Sequence, residues 1–186
     1  IALSLDLGDW PVTDEVKAAV TDAARALEDQ GAVVAPVDLT VERELVRQAS
    51  NGHNGALFAA SAQAEIAGRE DETNSYTRAW LAELAAERTD LSYFAAREVE
   101  AVISERIDRV LLEHDALLCP VMAVPALAAG VDHTVEPLLV DGVQRDSFHD
   151  IHLSEVFNVA NRCPVLAVPA GRGASGVPIG VQIVAR

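Results

Sequence analysis

The sequence is poor in residue types on which catalysis and metal binding often depend. Among 186 residues there is a single lysine, Lys17, and there are two cysteines, Cys119 and Cys163. Two cysteines are too few for a disulfide framework, which favours a reducing, cytoplasmic location and two packed free thiols. No GxGxxG, GxxxxGK[ST], HExxH or CxxC pattern occurs. We therefore expect neither a cofactor nor a metal site from motifs of this kind.

Long apolar runs and positive charge are also scarce. No hydrophobic run approaches the roughly 20 residues that cross a bilayer, and the opening "IALSLD" lacks the basic stretch and cleavage site of a signal peptide. The 29 acidic residues outnumber the 14 basic ones, so the formal net charge is −15. Such a surface repels nucleic-acid phosphates and anionic lipids, and we expect neither nucleic acid nor membrane as a partner.

The apolar content and its patterning predict a single α/β domain over residues 1–186. Half of the residues are hydrophobic, which is enough for a sizeable core. Residues 1–5 and 32–39 have the composition of strands. Between them, apolar spacing predicts a helix that is capped by Thr13 and ends at Gly31. This arrangement is typical of a βαβ unit.

The middle of the sequence is mainly helical in its patterning. A helical region is predicted over 41–68, with a break at the two glycines of "NGHNG" (51–55), because glycine weakens helices. A polar surface loop follows at 68–75. Helices are then predicted over 76–88 and 92–114, and the second carries an apolar stripe that would face a core, made of Val99, Val102, Ile103, Val110 and Leu111.

The remaining elements complete a mixed sheet. Residues 115–120 predict a buried strand that ends at a proline, followed by an irregular apolar loop. The Asp141-Gly142 pair favours a type I′ hairpin turn. Residues 149–161 predict a helix, and two strands joined by the glycine-rich segment 170–176 end the chain. The predicted class is α/β, a mixed β-sheet with helices packed on it.

Three groups of residues have both a chemical and a structural interpretation. Ser175 lies between two predicted strands, where a hairpin role is favoured over a nucleophile elbow. Cys163 with His152 or His149 is a conceivable nucleophile and base, although packing explains Cys163 as well. His149 and His152 have helical metal-ligand spacing but lack an evident third ligand, so a polar helix start is favoured.

The segment "FNVANRCPVLAVPAGRGASGVPIGVQIVAR" (157–186) closely resembles the C-terminal segment of amidase signature enzymes. Residues 114–130 resemble a strand and proline-rich loop of that family, and residues 1–39 resemble the strand–helix–strand that begins its second half. The resemblance therefore spans essentially the whole chain. The terminal segment matches the family at Phe157, Asn158, Pro164, Val168, Pro169, Ala170, Gly171, Pro178, Gly180 and Gln182.

The resemblance implies a large mixed sheet with helices on both faces and hydrolysis of carboxamides by a Ser–Ser–Lys triad. In the family that triad lies in a Gly/Ser-rich half that precedes the region seen here. No "GGSSGG"-like run occurs in this sequence, and Lys17 lies outside any matching motif. We expect a C-terminal portion of an amidase, without catalytic residues, the catalytic half or the family's last helix, and inactive alone. A stand-alone binding or scaffold domain derived from an amidase half is the alternative.

The expected contribution of this portion is a wall of the substrate pocket, because loops after strands line the ligand crevice of α/β sheets. Apolar residues in these loops suit an aliphatic or aromatic amide. The family often has Thr or Ser at Cys119 and Val121, and a small residue near Asn161 and Arg162. We also expect an exposed apolar surface, or a homodimer that buries it. The candidate pocket residues are Cys119, Val121, Met122, Phe157, Asn158 and Asn161.

Overall fold

Strands and helices alternate along the chain. The computed structural model describes residues 1–87, 92–145 and 147–186. Within these residues the elements are β1 (Ala2–Leu3), α1 (Asp14–Asp29), β2 (Ala35–Pro36), α2 (Arg43–Leu57), α3 (Ala59–Ile66), α4 (Ser75–Glu87), α5 (Tyr93–Glu113), β3 (Leu117–Pro120), β4 (Leu138–Val140), β5 (Val143–Arg145), α6 (Ser154–Ala160), β6 (Val165–Arg172) and β7 (Pro178–Val184).

The main sheet is mixed and has the order β2-β1-β3-β7-β6. β1 runs parallel to both β2 and β3, whereas β7 is antiparallel to β3 and to β6. Helix α1 packs across β3, β7 and β6. The predicted α/β class with a mixed sheet and packed helices is confirmed. β4 and β5 form a separate two-stranded hairpin.

The predicted βαβ unit is present, with shorter strands and without the predicted capping hydrogen bond. β1 and β2 pair through two residues each. Thr13 occupies the N-cap position of α1, but its side chain makes no capping hydrogen bond, so the predicted cap is wrong in its chemistry. The backbone N–H of Thr13 donates to Ala123 O at 2.9 Å. The Thr13 hydroxyl is buried and has no hydrogen-bond partner among the described residues.

The predicted break at residues 51–55 is wrong. Helix α2 continues through both glycines of that segment and the chain bends only at Phe58, where φ is −121°. Gly52 is buried within this helix, which packs on α5, α4 and α6. Glycine costs a helix about 1 kcal/mol, and tertiary packing of the buried face outweighs that preference.

The two predicted helices of the middle region are present as α4 and α5. Arg88, where the first was expected to end, lies outside the described residues. α5 begins after Ser92, whose hydroxyl accepts a hydrogen bond from Ala95 N at 3.2 Å. The predicted stripe is wrong at Val102, which is 42% exposed. The buried face of α5 consists of Ala96, Glu100, Ile103, Ser104, Ile107 and Leu111.

The C-terminal elements follow the prediction with one interruption. Asp141 (φ 49°) and Gly142 (φ 77°) form the left-handed turn expected between β4 and β5. The predicted helix 149–161 is split into a 3-10 helix, Phe148–Ile151, and α6. Ile151 O accepts a hydrogen bond from Ala123 N and Ser154 N donates to Val121 O, so the link between the two helices is held by the loop after β3.

One hydrophobic cluster joins the sheet, α1, α5 and α6. β3 is buried along its whole length, and its leucines belong to the same cluster as Ile103 and Ile107 of α5. A smaller cluster lies between α3 and α4, around Ala59, Leu81 and Leu84. Within the described part of the chain, every helix is too short or too polar to span a membrane.

Candidate functional site

The candidate site lies around the loop that follows β3. Four backbone hydrogen bonds hold this loop. Val121 N donates to Gly180 O of β7 at 3.3 Å, and Val121 O accepts from Ser154 N at 3.1 Å. Ala123 O accepts from Thr13 N, and Ala123 N donates to Ile151 O. The loop therefore touches the start of α1, the start of α6 and β7. Val121 and Met122 are half-buried here. The carboxyl end of a parallel strand is where ligands bind in many α/β sheets.

Two residues of the family-like terminal segment, Gly180 and Gln182, contact the end of β3 and the loop that follows it. A Cβ on Gly180 would lie 3.3 Å from Val121 Cγ2, so glycine lets the loop approach β7. Gln182 is 2% exposed, and its side-chain amide donates to Pro120 O at 2.7 Å. That bond satisfies the last carbonyl of β3, which keeps the end of the strand in place.

Cys119 and Phe157 lie in the core. Cys119 is fully buried and pairs across the sheet with Gln182. Burial raises the pKa of its thiol, an effect that the hydrogen bond with Gln182 only partly opposes, so it is a packed neutral thiol. Phe157 is 5% exposed. Their role in substrate binding stays a prediction.

The other two candidates on this side are exposed. Asn158 is exposed on α6, and Asn161 ends that helix in the left-handed conformation, with φ 42° and ψ 34°. Asn161 N donates to Phe157 O at 2.8 Å, which closes the last turn. Asparagine and glycine both tolerate this conformation. This gives a physical reason why Asn stands where the resemblance expects a small residue. The pocket role of both asparagines stays a prediction.

The histidines at 149 and 152 lie side by side with their ring centroids 6.1 Å apart. His149 Nδ1 lies 4.0 Å from Glu155 Oε2. Burial, and then the charge of His149, lowers the pKa of His152, so this ring stays neutral near pH 7. Among the described residues no three His, Cys, Asp or Glu side chains are arranged to hold a metal ion.

The remaining chemical candidates occupy structural positions. Ser175 lies exposed in the β6–β7 turn, as predicted. The pKa of the Cys163 thiol is raised, first by burial and then by the charge of Asp108, which is the opposite of nucleophile activation. Lys17 Nζ lies 3.6 Å from Asp6 Oδ2, and both side chains are partly exposed.

Sequence reasoning missed an ion-pair hub near the candidate site. Arg43 Nη1 lies 2.9 Å from Asp150 Oδ2 of the 3-10 helix, and Arg43 N, the first amide of α2, donates to Asp9 Oδ2 at 2.9 Å. A distant carboxylate thus caps α2 and neutralises its positive end. These residues are far apart in sequence, so no local pattern indicates the hub.

Sequence reasoning also missed the buried carboxylate of Glu100 on α5. It is 2% exposed and contacts Arg97, Arg162 and His53. Helical spacing could have found it, because Glu100 lies three and seven residues before Ile103 and Ile107 and so shares their face.

Comparison with known proteins identifies the family. A profile described as "Amidase" matches residues 1–186. The chain belongs to the amidase family. The resemblance to amidase signature enzymes is thereby confirmed.

Curated relatives of this amidase chain include components of amidotransferases. One of them, from the glutamyl-tRNA(Gln) amidotransferase of Xanthobacter autotrophicus, is 28% identical over 94% of this chain and 38% of its own length. The corresponding component from Dinoroseobacter shibae is 36% identical over 55% of the chain and 19% of its own length.

Solved structures share the fold over the whole chain. A bacterial aryl acylamidase of the amidase signature family superposes with a TM-score of 0.81 at 22% identity, covering 100% of this chain and 39% of that one. Kluyveromyces lactis allophanate hydrolase superposes with a TM-score of 0.71 at 19% identity, and the match covers 100% of this chain and 29% of the hydrolase chain. The chain thus spans well under half the length of these relatives.

Proposed function

We propose that the protein to which this chain belongs hydrolyses carboxamide C–N bonds, and that residues 1–186 form part of its sheet and a wall of its substrate pocket without supplying the catalytic groups. The observation that carries this proposal is the family match over residues 1–186, combined with coverage of 38% of the relative's length. The Ser–Ser–Lys set that the resemblance implies has no matching motif here.

The environment of the candidate pocket supports a small amide with an aliphatic or aromatic acyl group. Val121 and Met122 offer half-buried apolar side chains in the loop after β3. Asn158 and Asn161 add exposed amides at the end of α6, which could hydrogen-bond a polar substrate group. Cys119 and Cys163 are both free, which supports a cytoplasmic location.

The test compares two proteins: chain 1–186 alone and the product of the complete open reading frame. Both are assayed with acetanilide and benzamide and labelled with a fluorophosphonate that traps reactive serines. We expect turnover and labelling only in the second. A Ser175→Ala variant of the chain is the matched control. Turnover by the chain alone, abolished in this variant, would overturn the proposal. Failure of the complete product to hydrolyse any amide would favour a binding or scaffold role.

The apolar edge strand β6 supports a further part of the proposal, self-association of the chain when it is alone. Val165 is 42% and Leu166 is 59% exposed on this strand, and unpaired edges with apolar side chains promote association. Sedimentation velocity should show a dimer that Leu166→Lys dissociates. A monomer at all concentrations would contradict this part without affecting the enzymatic one.

A further inference from the structure

A buried carboxylate connects three segments on one side of α5. Glu100 Oε1 lies 3.3 Å from Arg162 Nη2, and Glu100 Oε2 lies 3.4 Å from His53 Nε2 of α2. Arg97, one turn earlier on α5, also donates to Glu100. A carboxylate at 2% exposure loses several kcal/mol of hydration unless cations and hydrogen bonds replace it. The guanidinium groups of Arg97 and Arg162 supply that compensation.

Arg162 lies in the turn that joins α6 to β6. It follows Asn161, whose left-handed backbone ends α6, and it precedes Cys163 and Pro164. The Arg162 side chain, 53% exposed, reaches across 62 residues of sequence to Glu100. A long cation in this turn therefore has one buried anchor on a neighbouring helix.

We propose that Glu100 is a positioning residue that acts through Arg162 to fix the α6–β6 turn. On the proposed function, which this inference deepens, this turn holds Asn161, and the helix that precedes it holds Asn158, at the pocket wall. Apolar replacements of buried ion pairs are often neutral or stabilising. A buried charge at this position is thus better explained by the geometry that it imposes than by stability alone.

Cys163 provides a built-in reporter for the turn. Cys163 is half-buried and adjacent to Arg162, whereas Cys119 is fully buried. In the folded chain a disulfide reagent such as DTNB should therefore react with Cys163, and its rate of reaction reports on the turn. In Arg162→Met the turn loses its anchor, and we expect Cys163 to react about fivefold faster through local opening. Loss of the positive charge alone would slow the reaction by raising the pKa of the thiol, so the two effects have opposite signs.

Two variants complete the thiol experiment. Arg162→Lys keeps a cation that can reach Glu100, and its rate should return to within about twofold of the unchanged protein. Arg25→Met is the matched control, because Arg25 makes an exposed ion pair with Asp22 on α1 at 2.9 Å. Urea titration of each variant separates local from global opening. A rate in Arg162→Met equal to or below that of the unchanged protein would overturn the proposal.

The second readout is kinetic and uses the product of the complete open reading frame. Glu100→Gln and Arg162→Met should each raise KM for the amide about fivefold and leave kcat within about twofold, because a displaced wall removes binding that substrate and transition state share. If Glu100→Gln fails to fold, the KM of Arg162→Met alone tests the proposal. Unchanged KM in a folded variant would overturn the proposal. Absence of amidase activity in the unchanged protein would sink the proposed function, while the thiol result would still decide whether Glu100 fixes the turn.

Discussion

β3 and β6 flank the same strand, β7, and are similar in composition, but their surroundings differ. All four residues of β3 are buried, whereas most of β6 is exposed, including Leu166 at 59%. An apolar sequence shows that a strand is suited to burial, but it does not show which part of the protein covers it. The exposed face of β6 is therefore the feature that most strongly suggests further protein packing against this chain.

The largest expected effect comes from trimming one leucine in each strand. Leu118→Ala in β3 should lower the free energy of unfolding by about 2–5 kcal/mol, because it leaves a cavity in a closed core. Leu166→Ala in β6 should change it by less than about 0.5 kcal/mol in the isolated chain. Urea unfolding followed by circular dichroism measures both.

The Leu166→Ala substitution also tests whether β6 is covered in the complete protein. In the product of the complete open reading frame, a covered β6 should make Leu166→Ala cost at least about 1 kcal/mol. Equal, small effects of Leu166→Ala in both proteins would mean that β6 is a solvent-exposed edge in the complete protein too.

The next largest effect on the free energy of unfolding comes from replacing a turn glycine, either in the loop after β1 or in the loop between β6 and β7. Gly8, in the loop after β1, has φ +79°, and a Cβ there would lie 2.5 Å from Thr40 Oγ1 and 2.7 Å from Leu39 O. Gly176, between β6 and β7, has φ +81° with open space around it. Gly8→Ala should cost about 2–4 kcal/mol, whereas Gly176→Ala should cost about 1 kcal/mol through its backbone alone. Thermal unfolding distinguishes the clash from the strain, and equal costs would contradict the enclosed environment of Gly8.

The smallest effect concerns pH. Burial lowers the pKa of His152 in the folded chain below 6.5, the ordinary pKa of a histidine side chain. His152 therefore binds a proton less readily in the folded chain than in the unfolded chain. As pH falls below that value the unfolded state gains protons first, and the free energy of unfolding decreases. His152→Gln should lessen the drop in urea midpoint between about pH 7.5 and about pH 5.5. An identical drop in both proteins would contradict this assignment.

Local chemistry was sufficient to predict much of the fold. The helical spacing after Thr13, the Asp141-Gly142 turn and the proline at the end of β3 each determine a nearby structure through backbone geometry or side-chain periodicity. The prediction failed where distant packing decided the outcome. Gly52 remains helical because α2 is packed on other helices, and the link between Ile151 and Ser154 leaves the helix to bond the loop after β3.

The location of the candidate site stays a prediction, and the sequence did not indicate the ion pairs near it. The family-like segment includes Gly180 and Gln182, whose contacts shape the end of β3. The ion pairs of Arg43 and Glu100 join residues that are distant in sequence. A partner of this kind is set by the three-dimensional arrangement of helices, so no spacing rule within one segment identifies it.

The way in which β3 ends has a consequence for protein engineering. Pro120 has no N–H to extend the ladder, and Gln182 ties down its carbonyl. These two features fix the end of the strand, but the next residue, Val121, still donates a backbone hydrogen bond to Gly180 O of β7. A loop grafted after this proline would therefore need a backbone N–H at position 121 and a glycine at position 180 to fit the sheet.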